Sequence, residues 1–280
     1  MADIDVGQMM QRMSYAEYVA VPGVRWSHLK EMRTSRLHYK VRSRQESPDT
    51  PSQVLGRAAH AAVFEPELFE AEYVVCDLDR RTNAWKEFRA EHDVQTILKT
   101  PERDGALRIA EAVRAHGPAA EILAAGQAER VITWTDPATG IARKAKLDWV
   151  TTPDMLTLAD LKTAADIGDK AFGRAAATYC YHGQVVDYTW GLREVTGLEY
   201  KPVIIAVENK EPYDVRVADV TGAELTAAEN LVRELHDKLA EAMRTDTWPG
   251  QFPERGKLNL PSWELWDDDA VSGEIEVISR

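Results

Sequence analysis

The sequence predicts one α/β domain, a mixed β-sheet with helices on its faces and a helical N-terminal portion. Three features predict it. RVITWT (130–135) and IARKAKLDWVT (141–151) alternate as strands do and flank the turn DPATG, which makes a hairpin. The apolar, β-branched run PVIIAVE (202–208) suits a strand buried on both faces. Helical patterns lie before, between and after these strands, so the sheet has material to cover it.

Taken in order, residues 1–26 show no strong period and read as an N-terminal arm, ahead of a main domain over 27–245. Ser27 has the place of an N-cap, opening a helix with Leu29, Met32, Leu37 and Val41 on one stripe. After the loop ESPDTPSQ, Ser52 can cap a helix through Leu55, Ala58, Ala59, Ala62 and Val63 to Phe64, with Pro66 just beyond. Helical patterns follow over 85–98 and 102–116, then a short one after Pro118. Beyond the hairpin, PDM turns into a third strand, LTLADLKT (156–163). Helical segments at 169–178 and 183–195 lead to PVIIAVE and a further strand, YDVRVADV. Thr221 and Glu224 have capping-box spacing and open an amphipathic helix to about Met243. The tail, 246–280, carries Trp248, Pro249, Pro253, Pro261, Trp263 and Trp266, which predicts that it packs on the domain. No internal repeat is visible.

Composition narrows the class. No run of eighteen apolar residues exists, so no membrane span is expected, and MADIDVGQMMQRMS lacks the apolar core of an export signal. Cys76 and Cys180 match no zinc pattern; free thiols in a cytoplasmic protein are expected, and two cysteines cannot hold a four-cysteine iron–sulfur cluster. The net charge of −12 argues against a passive DNA-coating protein. Eight Lys/Arg against three acids between Arg25 and Arg57 leave either a solvated helix face or a nucleic-acid surface. The acidic surplus sits elsewhere, notably at Glu264, Asp267, Asp268, Asp269, Glu274 and Glu276.

The residues that could carry chemistry concentrate in KLDWVTTPDMLTLADLKT. On a strand, Asp160 and Lys162 project together, and Asp148 on the preceding strand can lie beside them. Two carboxylates and an ammonium suit a divalent-metal site for phosphodiester hydrolysis, with the lysine positioning water or offsetting charge. By itself, a D-x-K is far more often an exposed ion pair on a strand. Gln184 and Tyr188, at i and i+4, share a helix face and could bind a phosphate or hold the lysine. His60 lies among alanines, which allow either a close approach to a metal or an ordinary packed histidine. Glu129 begins the hairpin, where most glutamates are solvated.

The order of these signals resembles the RecB-like branch of the PD-(D/E)XK nucleases. LGRAAHAAVFEPELF resembles the G-x-x-x-H helix and "H…LEP…F" signature of RecE-type (exonuclease VIII-like) phage exonucleases. AERVITWTDPATGIARKAKLDWV is similar to their E-x-x-x-x-W-x-D-x-x-T-G hairpin, LADLKTAAD to the D-L-K-T strand, and YHGQVVDYTWG to the Y-x-x-Q-x-x-x-Y helix. WPG…LNLPSWEL resembles the group's ending. Lys146-Leu147 departs from the Arg-Pro usual before the metal-binding aspartate, which touches the subgroup and not the catalytic set.

The resemblance covers roughly Ser27 to Trp266. It implies a restriction-endonuclease-like core and a Mg2+-dependent exonuclease, with Mn2+ as a substitute and no iron–sulfur cluster. His60, Asp148, Asp160 and the Leu161 carbonyl would bind metal. Lys162 would orient water, Glu129 would assist, and Gln184 and Tyr188 would support DNA or the lysine. The implied substrate is double-stranded DNA, cut 5′→3′ to leave a 3′ tail for a single-strand annealing protein or recombinase. Arg33, Arg36 and Arg42 would line the channel of a homo-oligomeric ring, in the cytoplasm of a bacterial host and away from membranes. A catalytically silent DNA- or partner-binding module, another RecB-like endo- or exonuclease, and a small-phosphoester hydrolase are the competing readings.

Overall fold

The computed structural model describes residues 10–45 and 50–261. A six-stranded sheet forms the centre, ordered β1 (Gln11–Arg12), β4 (Gly126–Thr135), β5 (Ala142–Thr151), β6 (Thr157–Ala164), β7 (Lys201–Glu208) and β8 (Val215–Asp219). Two short strands, β2 (Val74–Val75) and β3 (Ile97–Leu98), pair separately. The helices are α1 (Tyr15–Ala20), α2 (Trp26–Leu29), α3 (Arg36–Arg42), α4 (Pro51–Phe64), α5 (Pro66–Glu72), α6 (Asn83–Ala90), α7 (Thr100–Ala115), α8 (Gly117–Leu123), α9 (Asp169–Tyr179), α10 (Tyr181–Thr196) and α11 (Gly222–Thr245). The sheet is antiparallel except at β6–β7, whose parallel pairing needs the α9–α10 crossover. The mixed sheet with helices on both faces is the predicted architecture.

The alternation of β6 and β7 divides the core. Leu158, Ile204 and Ala206 face one side with α2, α10 and α11, whereas Ala159, Leu161, Val203, Ile205 and Val207 face the other with α4 and α7. The hairpin breaks this rule in one place. On β4, Ile132 and Trp134 lie on the α10 side while Ala128 lies on the α4 side; on β5, Ala145 and Leu147 lie with α10 while Trp149 lies with α4. Strict alternation would keep each set on one face. The phase inverts at Glu129 and Asp148, which lie across from each other between the pairs Ala128↔Trp149 and Arg130↔Leu147. Glu129 makes the inversion with φ 53°, a left-handed conformation uncommon for a glutamate in a strand.

Helix α10 is the innermost helix, with Val185, Val186, Asp187, Tyr188 and Leu192 all buried. Two glycines let it approach. A Cβ on Gly183 would stand 2.7 Å from the Trp26 ring, and one on Gly191 would stand 2.9 Å from Trp134. Beside it the hairpin turn is built from DPATG: Asp136 accepts from the Thr139 amide at 2.9 Å, and Gly140 takes φ 71°.

A buried charged cluster ties α10 to the hairpin and α11. Arg143 donates to Asp187 Oδ2 at 2.5 Å and to the Val24 carbonyl at 3.0 Å, and it also contacts His236. His236 lies 3.0 Å from Asp187 and 3.3 Å from Asp136. Every member is at least nine-tenths buried.

Several boundaries differ from the expected ones. Residues 10–25 are built into the domain rather than standing as an arm: β1 pairs with β4, and Met10 and Tyr18 are buried. Lys144 donates to the carbonyls of Tyr18, Val19 and Val21 and so closes the end of α1. A two-residue strand and a six-residue helix are too short to leave a period. Ser27 lies inside α2, and the expected long helix breaks at Ser35, which caps α3; Leu37 and Val41 are consequently exposed. Thr50, not Ser52, caps α4, forming a capping box with Gln53. The stretch 85–98 ends as a helix at Ala90, and Ile97–Leu98 is strand. Thr221 is the N-cap of α11 without a side-chain bond. In the tail, Trp248 stacks on Tyr39 at 6.0 Å, whereas residues 251–261 are exposed. Trp263, Trp266 and the acidic residues from Glu264 onward lie outside the described residues. Among the described residues no helix is long and apolar enough to cross a membrane.

Removing Arg143 leaves Asp187 in the core with only His236 beside it among the described residues. Arg143→Met is expected to destabilise the fold by about 3–5 kcal/mol in urea unfolding; a loss below about 1 kcal/mol would mean that the cluster does not depend on this charge. His28 offers a second test. Burial, with Arg25 and Lys144 adding to it, pulls its pKa down to about 4, while the unfolded chain keeps its ordinary value near 6.5. Between those values the unfolded state binds a proton that the folded state does not, so stability falls as pH drops from about 6.5 to 4. His28→Gln, which keeps an acceptor for Arg25, should flatten that part of the stability–pH curve.

Candidate active site

Five elements converge where the hairpin inverts. α4 supplies His60, β4 Glu129, β5 Asp148, β6 Asp160 and Lys162, and α10 Gln184 and Tyr188. The predicted catalytic and metal residues come together around one point of the sheet.

α4 reaches the site because its alanines let it lie flat. Ala58, Ala59 and Ala62 are buried against the sheet, and a Cβ on Gly56 would stand 3.7 Å from Thr163 on β6. One turn along, His60 places Nε2 at 3.0 Å from the Leu161 carbonyl and Nδ1 at 3.4 Å from Asp148 Oδ2. Its ring meets Phe64 edge-on at 5.8 Å, and Phe64 in turn stacks on Trp149. Asp148 Oδ2 also accepts from the Leu161 amide at 2.9 Å.

Asp160 is only 2% exposed at its side chain and forms an ion pair with Lys162. Its Oδ1 accepts from Gln184 Nε2 at 3.0 Å, and the same amide reaches the Tyr188 hydroxyl at 3.3 Å. Gln184 and Tyr188 therefore hold Asp160, and through it the lysine. The Lys162 ammonium also lies 5.0 Å above the Tyr181 ring. Glu129, turned by its backbone toward Asp148, is paired with Lys146.

The electrostatics follow from crowding these groups out of water. Burial pushes Asp160 up, and despite Lys162 it is held at about 6, with Asp148 adding to the rise. Burial likewise raises Glu129. For Lys162, burial works downward, but Asp160 and Asp148 outweigh it and its pKa is raised. Burial alone would also lower His60; Asp148 and Glu129 reverse that, and His60 in return keeps Asp148 below its ordinary value. Three carboxylates, two lysines and His60 are thus crowded together out of water.

The arrangement of donor atoms fits a divalent cation. His60, Glu129 and Asp148 each offer one ligand atom, and these atoms lie within 4.8 Å of one another. Asp160 is not in this group: its Oδ2 is paired with Lys162 and its Oδ1 accepts from Gln184. Carboxylate and carbonyl oxygens with one imidazole are a donor set that magnesium or manganese accepts.

The basic residues expected to meet DNA do not join the site, and the protein itself engages each. Arg33 donates to the Ala177 carbonyl and to Cys180 Sγ, Arg36 pairs with Glu241, and Arg42 pairs with Glu31 at 2.5 Å. Three features escaped the sequence reading: the Lys146–Glu129 pair, the position of Tyr181 beneath Lys162, and the Arg143–Asp187–His236 cluster. An aspartate in the otherwise apolar stretch VVDY was the available signal for the last.

Over residues 26–257 the chain matches the family model described as a PDDEXK-like domain of unknown function (DUF3799). No curated protein matches it. Among solved structures it is similar to a "putative exonuclease" from Eubacterium rectale, with a TM-score of 0.62 at 17% identity, covering 94% of this chain and 100% of that one. At that identity the likeness establishes the fold.

A cation held by this cluster should stabilise the folded chain. Manganese at a hundredfold its Kd is expected to add about 2.7 kcal/mol, read as a rise in Tm. Asp148→Asn should abolish the rise, and an unchanged response in that variant would place the ion elsewhere.

Proposed function

The chain belongs to the PDDEXK-like family, and from that premise we propose that it is a metal-dependent DNA exonuclease hydrolysing phosphodiester bonds. One observation carries the reading: the Asp148, Asp160 and Lys162 side chains of the D…D-x-K pattern converge beside His60 and Glu129. Phosphodiester hydrolysis builds negative charge on the phosphoryl oxygens and needs an oriented water. A divalent ion held by His60, Asp148, Asp160, the Leu161 carbonyl and Glu129 would polarise the phosphoryl group and lower the pKa of the water.

The remaining work belongs to the chain's own residues. Lys162 keeps its proton, because its pKa is raised, and so presents a cation to the attacking water or the developing charge. Gln184 fixes Asp160, and Tyr188 fixes Gln184, which holds the acid and the lysine in register. Lys146 pairs with Glu129 and offsets part of the burial that raises its pKa.

The finer reading rests on the resemblance to RecE-type sequences: 5′→3′ action on linear duplex DNA, leaving a 3′ single strand for an annealing protein or recombinase. The same resemblance supports a ring-shaped homo-oligomer. The pairing of Arg36 and Arg42 with glutamates means that a DNA channel lined by them would exchange these partners for phosphates, an exchange favoured at low salt.

The test is degradation of a linear duplex labelled at the 5′ or the 3′ end, with magnesium or EDTA. Early, metal-dependent release of the 5′ label is expected. Lys162→Ala and Asp160→Ala should each lower the rate by at least about 100-fold. A wild-type protein that shifts the duplex in a binding assay and leaves it intact would instead be a binding module.

A further inference from the structure

Helices α9 and α10 meet at Cys180, a non-glycine residue with φ 59°. A left-handed residue between two helices brings the last side chain of one beside the first of the next. Here those are Tyr179 and Tyr181, whose rings stack at 5.6 Å with planes 24° apart. The corner is fixed from within: Cys180 is buried, and Arg33 donates to its sulfur at 3.2 Å and to the Ala177 carbonyl. Tyr181 is braced by the buried Phe172 at 6.2 Å and lies under the Lys162 ammonium at 5.0 Å. Tyr179, by contrast, is 54% exposed. One ring of the pair thus touches the catalytic lysine, and the other is open to solvent.

We propose that Tyr179 and Tyr181 form a stacking platform for the nucleobase flanking the scissile phosphate. The proposal rests on the DNA-cleavage reading above and adds to it the recognition of a base. Every base has a π-face, so a platform of this kind accepts any sequence, as an exonuclease moving along DNA requires. The braced Tyr181 sets the orientation and the exposed Tyr179 supplies the contact. The base would then be anchored next to Lys162, which places its neighbouring phosphate at the carboxylates. A stacked base is worth a factor of roughly 5 to 150 in affinity.

The experiment compares wild type, Tyr179→Ala and Tyr179→Phe on duplexes that are intact or carry one abasic site, moved stepwise from the end. Tyr179→Ala is expected to raise KM roughly 5- to 150-fold, with kcat little changed and Tm unaltered, and Tyr179→Phe to recover most of the loss. An abasic site at one position should reproduce the defect in wild type and add nothing in Tyr179→Ala. An unchanged KM in Tyr179→Ala, failure of phenylalanine to recover it, or additive defects would each overturn the platform. If wild type cuts no DNA, the cleavage reading fails by itself. The platform is then read by anisotropy of a labelled oligonucleotide in EDTA: weaker binding by Tyr179→Ala supports it, and equal binding overturns it.

Discussion

The bond from the Leu161 amide to the Asp148 carboxylate is the constraint on which the site depends. β5 and β6 pair through their backbones at Trp149↔Ala159 and Val150↔Leu158. At the next step a side chain takes the amide that a ladder partner would take, and the carboxylate is thereby locked beside β6. Asp148 is left with a second oxygen, and Oδ2 itself also meets His60. The inversion of the hairpin at Glu129 serves the same end, since it turns two carboxylates from facing strands to one place while the flanking residues continue to fill both cores.

Such an arrangement is not there for stability. Two unit charges at the His60–Asp148 separation attract by about 5 kcal/mol at an effective dielectric of 20, but withdrawing ions from water costs several kcal/mol each. The attraction and the penalty nearly cancel, and Asp160 and Glu129 add repulsion. The apolar cores against α4 and α10 must therefore hold the acids together. α10 shows how. One turn presents Gln184 to Asp160 and Tyr188 to Gln184, and between them Asp187 is clamped by Arg143 and His236, with Gly183 and Gly191 pressed against Trp26 and Trp134. The helix cannot slide without breaking a buried charge pair.

The same logic recasts the basic N-terminal helices. Eight Lys/Arg in thirty-three residues looked like either a solvated face or a DNA surface. In the structure, Arg33 is spent on the α9–α10 corner, and Arg36 and Arg42 are paired with glutamates from α11 and from the turn before α3. Part of that charge is internal to the fold, which a charge count along the chain cannot reveal because the partners of Arg33 and Arg36 are distant in sequence.

The sequence by itself determined the sheet, its covering helices and the candidate residues, since alternation, β-branching and the i, i+4 pairs of a helix are local properties. It placed Asp160 and Lys162 on one face because strand geometry requires it, and it found His60 through the order of motifs shared with a nuclease family. Only the tertiary structure decided the rest. The left-handed turn at Glu129, the Lys146 pairing, the burial of Asp187 and the closeness of Tyr181 to Lys162 all depend on which chains lie adjacent after folding. Short elements such as β1 and α1 were likewise invisible, because they gain their stability from β4 and from Lys144 rather than from their own pattern. Periodicity records what a segment buries; it does not record against what.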